Sequence, residues 1–445
     1  MRRVMAFLLI FSLWLAPLPA LAEADVAALA EDVLIHLSQG DFETVYGRAD
    51  EAMRGALGSA DGLAQVWAQL TGMLGALREA QAADAGAQGD YRLAAAECIF
   101  ENADATLTLS FDAQGRLGGL GLTAMRPREE SAPADGGGYI EEAITLREGE
   151  GDATNGLLTL PEGEGPFPAV VMVHGSGPSD MDESAYACAP FRDLAHGLAR
   201  LGVASIRYDK YTYAHPENCL RADFTVDDEY TRDALDAAAL LANDARIGDI
   251  YLLGHSQGAM LAPRIMAAIQ TEVGDRLRGG VLLAGSPLPM WEIQYHQNLD
   301  VLKTLSGEAL AENEALVEAE RAKVSALADM TADELQKQTL FGISAYYQAD
   351  EMSVDAVETA VRLSLPLFIA QGEKDWQVRP ADGVEAWQAK LPQDFDVVYR
   401  LYENMTHMLF DLEGAPSETP ADYMAPGAQV SETLIGDIAA WIGAR

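Results

Sequence analysis

The chain has 445 residues, 49% of them hydrophobic, and carries 69 acidic against 30 basic side chains for a formal net charge of -39. That length calls for two or more domains, and the apolar content excludes a disordered chain. A surface this negative repels phosphate backbones and anionic headgroups, which argues against nucleic-acid and membrane-surface partners; its plain use is solubility.

The chain opens with Arg2 and Arg3, an apolar stretch from Val4 to Leu15, Pro17 and Pro19, and then Ala20-Leu21-Ala22. The apolar stretch is shorter than the roughly 20 residues of a spanning helix. A positive start, a short apolar run and a small-residue end predict a secretory signal peptide over residues 1–22, cut after Ala22, and an extracellular or periplasmic protein. An uncleaved anchor is the alternative. No later run is long enough to span a bilayer, so no membrane insertion is expected after cleavage. In an oxidising compartment Cys188 and Cys219, which share one segment, are the best placed to pair, leaving Cys98 as a buried thiol; three buried thiols are the alternative. Cysteine spacing fits no zinc motif, so no metal is expected.

Residues 23 to about 80 are dense in alanine and leucine, with Val26, Leu29, Val33, Leu34 and Leu37 at helical spacing. Tyr91–Phe100 and Ala105–Phe111 are β-prone, and Asp112-Ala113-Gln114-Gly115 before Leu117 predicts a hairpin turn. Helices followed by strands predict a small α+β domain over 23–125. Residues 126–138, RPREESAPADGGG, concentrate proline, glycine, serine and charge without periodicity and predict a linker.

From residue 139 to 445 short β-rich runs alternate with helical patterns. Strands are predicted at Gly156–Leu160, Ala169–His174, Ala204–Tyr208, Ile250–Gly254, Val281–Ala284, Leu365–Ala370 and Val397–Tyr402. Helices are predicted at Phe191–Leu201, Thr231–Leu241 and Ala259–Ile269. Such alternation predicts an α/β fold, a mostly parallel sheet covered on both faces. About 287–363 is a long acidic, helix-rich stretch without a clear strand, read as a cap inserted at the sheet's carboxyl edge.

Gly254-His255-Ser256-Gln257-Gly258 has the form G-x-S-x-G, with the apolar run Ile250-Tyr251-Leu252-Leu253 before it and a helical pattern after it. A nucleophile on a tight strand-to-helix turn needs small neighbours, because its backbone is strained and other chain segments approach closely. Such a turn exposes the Ser256 hydroxyl and aims the next N–H, that of Gln257, at an oxyanion. A serine hydroxyl needs a base, and histidine titrates near neutrality. Of seven histidines, His36 precedes this segment, His196 lies in a helical pattern, His215 and His296 sit in or beside loops or the insertion, His174 ends an early strand, and His255 adjoins the serine. His407, just after the last predicted strand, is the candidate base. The acid belongs between Ser256 and His407, beyond a strand end. Gln371-Gly372-Glu373-Lys374-Asp375 follows the strand at 365–370, and Asp375 is preferred because Gly372 permits the turn; Glu373 is the alternative. A second oxyanion donor is sought in His174-Gly175-Ser176-Gly177-Pro178, where the Ser176 N–H is the candidate and that of Gly177 the backup.

These segments together resemble the α/β-hydrolase superfamily over about 139–445. His174-Gly175-Ser176-Gly177-Pro178, Pro190-Phe191-Arg192-Asp193-Leu194-Ala195, Arg207-Tyr208-Asp209-Lys210 and Gly254-His255-Ser256-Gln257-Gly258 resemble bacterial esterases related to the dienelactone-hydrolase and serine-aminopeptidase branches. Members often carry an N-terminal domain of unknown function, to which residues 30–125 are similar, with Phe42, Trp67 and Ala105 to Gly121. The resemblance implies a carboxylesterase for small or medium acyl esters that works through an acyl-enzyme with no cofactor, its partner a small-molecule ester. The chain departs from the pattern in the loop Tyr211 to Leu220 and in the acidic insertion. A peptidase of the related branch and a binding protein that has lost turnover are the competing readings.

Overall fold

In the computed structural model of the protein, residues 26–88, 91–101, 103–127, 137–303, 305–419, 422–423 and 428–445 are described. The signal segment expected over 1–22 lies outside the described residues, as do residues 128–136 of the expected linker. The chain divides into two units whose boundary in sequence falls near residue 132.

In the first unit, side-chain caps set several helix starts. Asp41, Asp50 and Ser59 accept from the N–H groups of Thr44, Met53 and Gly62, satisfying donors that a first turn leaves orphaned. The helices are α1 (Val26–Ser38), α2 (Phe42–Arg48), α3 (Glu51–Leu57) and α4 (Ala60–Leu74). Gly75, at φ 81°, closes α4. An antiparallel sheet follows in the order β1-β2-β3-β4, with β1 (Leu77–Gln88), β2 (Tyr91–Phe100), β3 (Ala103–Phe111) and β4 (Leu117–Pro127). The helical reading to about residue 80 is therefore corrected at its end. Alanine favours helix, but the ladder along β2, from Leu77 opposite Phe100 to Gln88 opposite Tyr91, overrides that propensity. Every second residue of β3, from Ala103 to Phe111, is buried, in a core shared with Val33, Leu34, Leu37, Leu63 and Trp67.

The second unit is built on β5 (Tyr139–Leu146), β6 (Thr154–Pro161), β7 (Phe167–Val173), β8 (Ala204–Tyr208), β9 (Ile247–His255) and β10 (Leu277–Leu283). After a two-residue hairpin of β11 (Thr339–Leu340) and β12 (Ile343–Ser344) come β13 (Leu367–Gly372) and β14 (Val397–Tyr402). Eight strands form one sheet in the order β14-β13-β10-β9-β7-β8-β6-β5. β6 is antiparallel to both its neighbours, and the remaining pairs are parallel. This is the mostly parallel sheet that the sequence predicts.

Its helices are α5 (Pro190–Arg200), α6 (Tyr211–Ala214), α7 (Arg232–Asn243), α8 (Gln257–Val273), α9 (Met290–Leu302), α10 (Gly307–Leu327), α11 (Ala332–Leu335), α12 (Ala345–Met352), α13 (Ala356–Leu363), α14 (Val384–Lys390) and α15 (Glu432–Gly443). Strand residues alternate between two cores. Val171 and Val173 pack with Ala234 and Ala237 of α7, Ile265 of α8 and Trp387 of α14. Val170 and Met172 pack with Phe191 and Leu194 of α5 and Leu434 and Ile438 of α15. Burial on both faces explains why these strands read as continuous apolar runs. The stretch about 287–363 holds α9–α13, and its expected lack of strands is corrected only by the β11–β12 hairpin.

From β7 the chain crosses to β8 on one side, and from β9 it crosses through α8 to β10 on the other. Adjacent parallel strands whose connections leave in opposite directions open a crevice at their carboxyl ends, where such sheets bind ligands. The Cys188–Cys219 pairing is not formed. Cys98, Cys188 and Cys219 form no disulfide; the Cys188 thiol is directed to the Tyr423 carbonyl at 3.7 Å and that of Cys219 to the His215 carbonyl at 3.4 Å. Each thiol thus meets a carbonyl in place of the other sulfur, and burial pushes Cys188 up to about 12.

Candidate active site

Ser256 stands between β9 and α8 with φ 52° and ψ -118°, a left-handed backbone that costs a non-glycine residue about 1–3 kcal/mol and persists only where its surroundings enforce it. They do so here. The Ser256 N–H donates to the Leu283 carbonyl at 2.8 Å, and its carbonyl accepts from Ala259 and Met260 at 3.0 Å each. A Cβ on Gly254 would sit 2.4 Å from the Gly258 carbonyl oxygen, and one on Gly258 would sit 2.2 Å from that of Val173. The two glycines of the motif are required by this backbone crowding.

Asp375 and His407, the candidate acid and base, follow the ends of β13 and β14. A Cβ on Gly372 would lie 1.8 Å from the Met405 carbonyl oxygen, so only glycine lets these two turns touch. Asp375 accepts at Oδ1 from the N–H groups of Gln377 (3.0 Å) and Val378 (2.9 Å), and at Oδ2 from Gln371 Nε2 (3.2 Å). His407 Nδ1 lies 2.9 Å from that same Oδ2, and its Nε2 lies 3.0 Å from Ser256 Oγ. With a carboxylate accepting at Nδ1, the proton belongs on Nδ1, and Nε2 keeps the lone pair that accepts from the serine. Asp375 and His407 are buried, whereas Glu373, the alternative acid, is exposed. The fold brings Ser256, Asp375 and His407 into one hydrogen-bonded chain and leaves Glu373 outside it.

The turn after β7 runs beside the serine. A Cβ on Gly175 would be 3.1 Å from Ser256 Cβ and 3.6 Å from its Oγ. The Gly175 N–H donates to Glu183 Oε1 at 2.6 Å. Its carbonyl accepts from Lys210 Nζ at 2.8 Å and from the Tyr230 hydroxyl at 2.9 Å. The Tyr230 hydroxyl also lies 2.8 Å from Gln257 Oε1. Among the described residues, no acceptor is found for the N–H of Ser176 or of Gln257, the two expected oxyanion donors.

Sequence reasoning missed the charges that hold this turn. The ring of His255, the residue before the serine, turns toward His407. Its Nε2 lies 2.9 Å from the His407 carbonyl, and its Nδ1 lies 3.0 Å from Glu183 Oε2. The carbonyl at Nε2 and the carboxylate beside Nδ1 both favour the protonated ring, although the Nδ1–Oε2 approach is an ion pair without hydrogen-bond alignment. Burial alone would lower His255, but the Glu183 carboxylate raises it above its ordinary 6.5. Burial alone would raise Glu183, but His255 holds it below its ordinary 4.5. Lys210 is likewise buried and paired with Glu229 at 2.7 Å. No period or spacing tells that Lys210 or Glu183 turns inward; that follows from the tertiary fold.

Met260, one turn beyond Ser256, packs with Val378 beyond Asp375 and with Ile293 of α9, joined by Leu288 and Met290. The same helix is fastened to the acid's loop by His296–Asp382 (3.0 Å), Arg379–Asp300 (2.5 Å) and the Gln297 amide on the Gln377 carbonyl (2.8 Å). The insertion is thus packed against the helix that follows Ser256 and the loop that carries Asp375. Among the described residues, no group of three or more His, Cys, Asp or Glu side chains could hold a metal ion, and no helix is long and apolar enough to cross a membrane.

The family model described as serine aminopeptidase, S33, matches residues 166–413. A second model, of a protein of unknown function (DUF3887), matches residues 30–120. Esterase EstD of Thermotoga maritima is 30% identical over 411 residues, covering 92% of this chain and 93% of that protein. Est1E of Butyrivibrio proteoclasticus is similar in structure with a TM-score of 0.43 and 15% identity, over 68% of this chain and 99% of that one. A proline iminopeptidase of Mycobacterium smegmatis has a TM-score of 0.42 and 16% identity, over 68% of this chain and 98% of that one.

The Glu183–His255 pair has a pH signature. A raised imidazole contributes stability that is full below its unfolded value and is lost as pH rises through its folded one; a depressed carboxylate contributes stability that is lost as pH falls through its folded value. The pair therefore works fully between about 4.5 and 6.5 and fades above. In urea melts across pH 5 to 9, Glu183→Gln is expected to lower the midpoint most near pH 6, with the gap closing toward alkaline pH. A gap independent of pH would refute the charged pair.

Proposed function

The chain belongs to the serine aminopeptidase S33 family within the α/β-hydrolase superfamily, and from that premise we propose that it hydrolyses carboxylic esters of small or medium acyl groups through an acyl-enzyme on Ser256. His407 Nε2 takes the hydroxyl proton as Oγ attacks the acyl carbon. Asp375 steadies the imidazolium that forms. The oxygen of the tetrahedral intermediate takes its negative charge between the N–H groups of Ser176 and Gln257. His407 then returns the proton to the leaving alcohol. A water, deprotonated by the same nitrogen, attacks the acyl-enzyme and releases the acid, so the catalyst ends as it began.

The observation that carries this reading is the chain Oγ, Nε2, Nδ1, Oδ2, with steps of 3.0 and 2.9 Å, mounted on a strained serine. Ester rather than amide specificity is supported by the 30% identity to Esterase EstD, which spans nearly all of both chains.

Ser256→Ala is expected to reduce p-nitrophenyl butyrate hydrolysis by on the order of 10⁶-fold, and Asp375→Asn by about 10⁴-fold, each with an unchanged melting temperature. Aminoacyl amides assayed beside the ester should be turned over poorly. A fully active Ser256→Ala protein, or amides preferred over esters, would contradict the proposal. Export is part of the same proposal, supported by the layout of residues 1–22. A mature chain starting at Glu23 in medium or periplasm is the expected mass-spectrometric result, and a full-length cell-bound chain is the contrary one.

A further inference from the structure

Lys210 has no place in the proton path, yet it is 1% exposed. A buried ammonium is tolerated only where its charge is paired and its hydrogens are placed. Its three N–H groups face four oxygens: the carbonyls of Gly175 at 2.8 Å and Gly177 at 2.9 Å, the Tyr230 hydroxyl at 2.6 Å and Glu229 Oε1 at 2.7 Å. Glu229 by itself would neutralise the charge. The two carbonyls ask for another explanation, because they bracket Ser176.

A trans peptide carries its C=O and the following N–H on opposite sides. Capture of the Gly175 carbonyl therefore turns the Ser176 N–H away from Lys210. The Gly175 position lies alongside Ser256, its would-be Cβ 3.6 Å from Oγ. Gly177, at φ 83°, permits the turn that offers the second carbonyl to the same ammonium. Glu183 holds the Gly175 N–H from its own side at 2.6 Å, so both polar groups of that residue are fixed. Tyr230 extends the hold across the site. Its hydroxyl accepts from Lys210 and has one proton to share between the Gly175 carbonyl and Gln257 Oε1. The two residues whose N–H groups are the expected oxyanion donors are thereby tied to one buried cation.

We propose that Lys210 is a positioning residue for the oxyanion site: by holding the Gly175 and Gly177 carbonyls it keeps the Ser176 N–H aimed at the oxygen that becomes charged when Ser256 is acylated. The inference rests on the ester-hydrolase reading above. It assigns a role to the lysine of Arg207-Tyr208-Asp209-Lys210, which that reading leaves unexplained. Oxyanion donors act only when charge develops, so a misaimed donor lowers turnover and leaves ground-state binding almost untouched.

The test uses the full chain with Lys210→Met combined with Glu229→Gln, so that no buried carboxylate is orphaned. The probes are p-nitrophenyl butyrate and an alkyl trifluoromethyl ketone, whose serine adduct carries a charged oxygen. The expected result is a loss of kcat of about 10²-fold, KM within threefold of wild type, and a ketone affinity weakened by the same factor as kcat/KM. Lys210→Gln combined with Glu229→Gln, whose shorter neutral amide cannot hold both carbonyls at once, should show a parallel loss of about fivefold and carries the test if the first double variant does not fold. Wild-type kcat in the variants, a kcat loss with unchanged ketone affinity, or a rise in KM alone would overturn the positioning role. A wild-type protein that neither cleaved the ester nor bound the ketone would overturn the reading beneath it instead.

Discussion

The backbone at Ser256 is the constraint on which the rest of the second unit depends. A serine at φ 52° does not hold that shape unaided. Its N–H is spent on Leu283 of the next strand and its carbonyl on the first turn of α8. Gly254 and Gly258 remove the side chains that would drive β9, α8 and β7 apart. Parallel pairing of β9 with both β7 and β10 then brings three further segments within reach of one hydroxyl: the turn after β7, the acid's turn after β13, and the histidine's turn after β14. The strain is local, and the sheet supplies the many contacts that enforce it.

Around that turn the unit buries charge in complementary pairs. Lys210 with Glu229 and His255 with Glu183 set two basic and two acidic side chains out of water. Each pair also spends hydrogen bonds on backbone: Lys210 on two carbonyls, Glu183 on one N–H, and His255 on the carbonyl of His407. A buried ion pair is weak evidence for stability. Here the backbone bonds make these pairs fasteners between the turn after β7, the serine's turn and the turn of His407. Without Glu183, burial would favour the neutral His255 ring, so the pair contributes only while His255 holds its proton, which is why the Glu183 effect depends on pH.

Much of the second unit was legible because its signals are local. A buried strand, a G-x-S-x-G and a helical pattern occur within about thirty residues of one another, and the order of serine, acid and histidine follows the chain. Asp375 could be preferred over Glu373 because Gly372 marks the turn, and the structure adds the reason, the contact with Met405. What was not legible depends on partners distant in sequence. β1 is rich in alanine and is a strand because β2 lies beside it. Lys210 and Glu183 look like two more charges on an acidic chain until the fold turns them inward. His255 looked incidental because its partners, at positions 183 and 407, are far away in sequence. The cysteine pairing was inferred from shared segment and compartment, and in the fold Cys188 and Cys219 each face a carbonyl instead.

The central claim is that an acyl group on Ser256 has its oxygen between two backbone N–H groups held ready for it. A crystal structure of the protein after reaction with a dialkyl fluorophosphate tests this most directly. The account predicts phosphorus on Ser256 Oγ, with the phosphoryl oxygen about 2.7–3.1 Å from the nitrogens of Ser176 and Gln257. Phosphorus on another residue, or a phosphoryl oxygen turned away from both nitrogens, would contradict it.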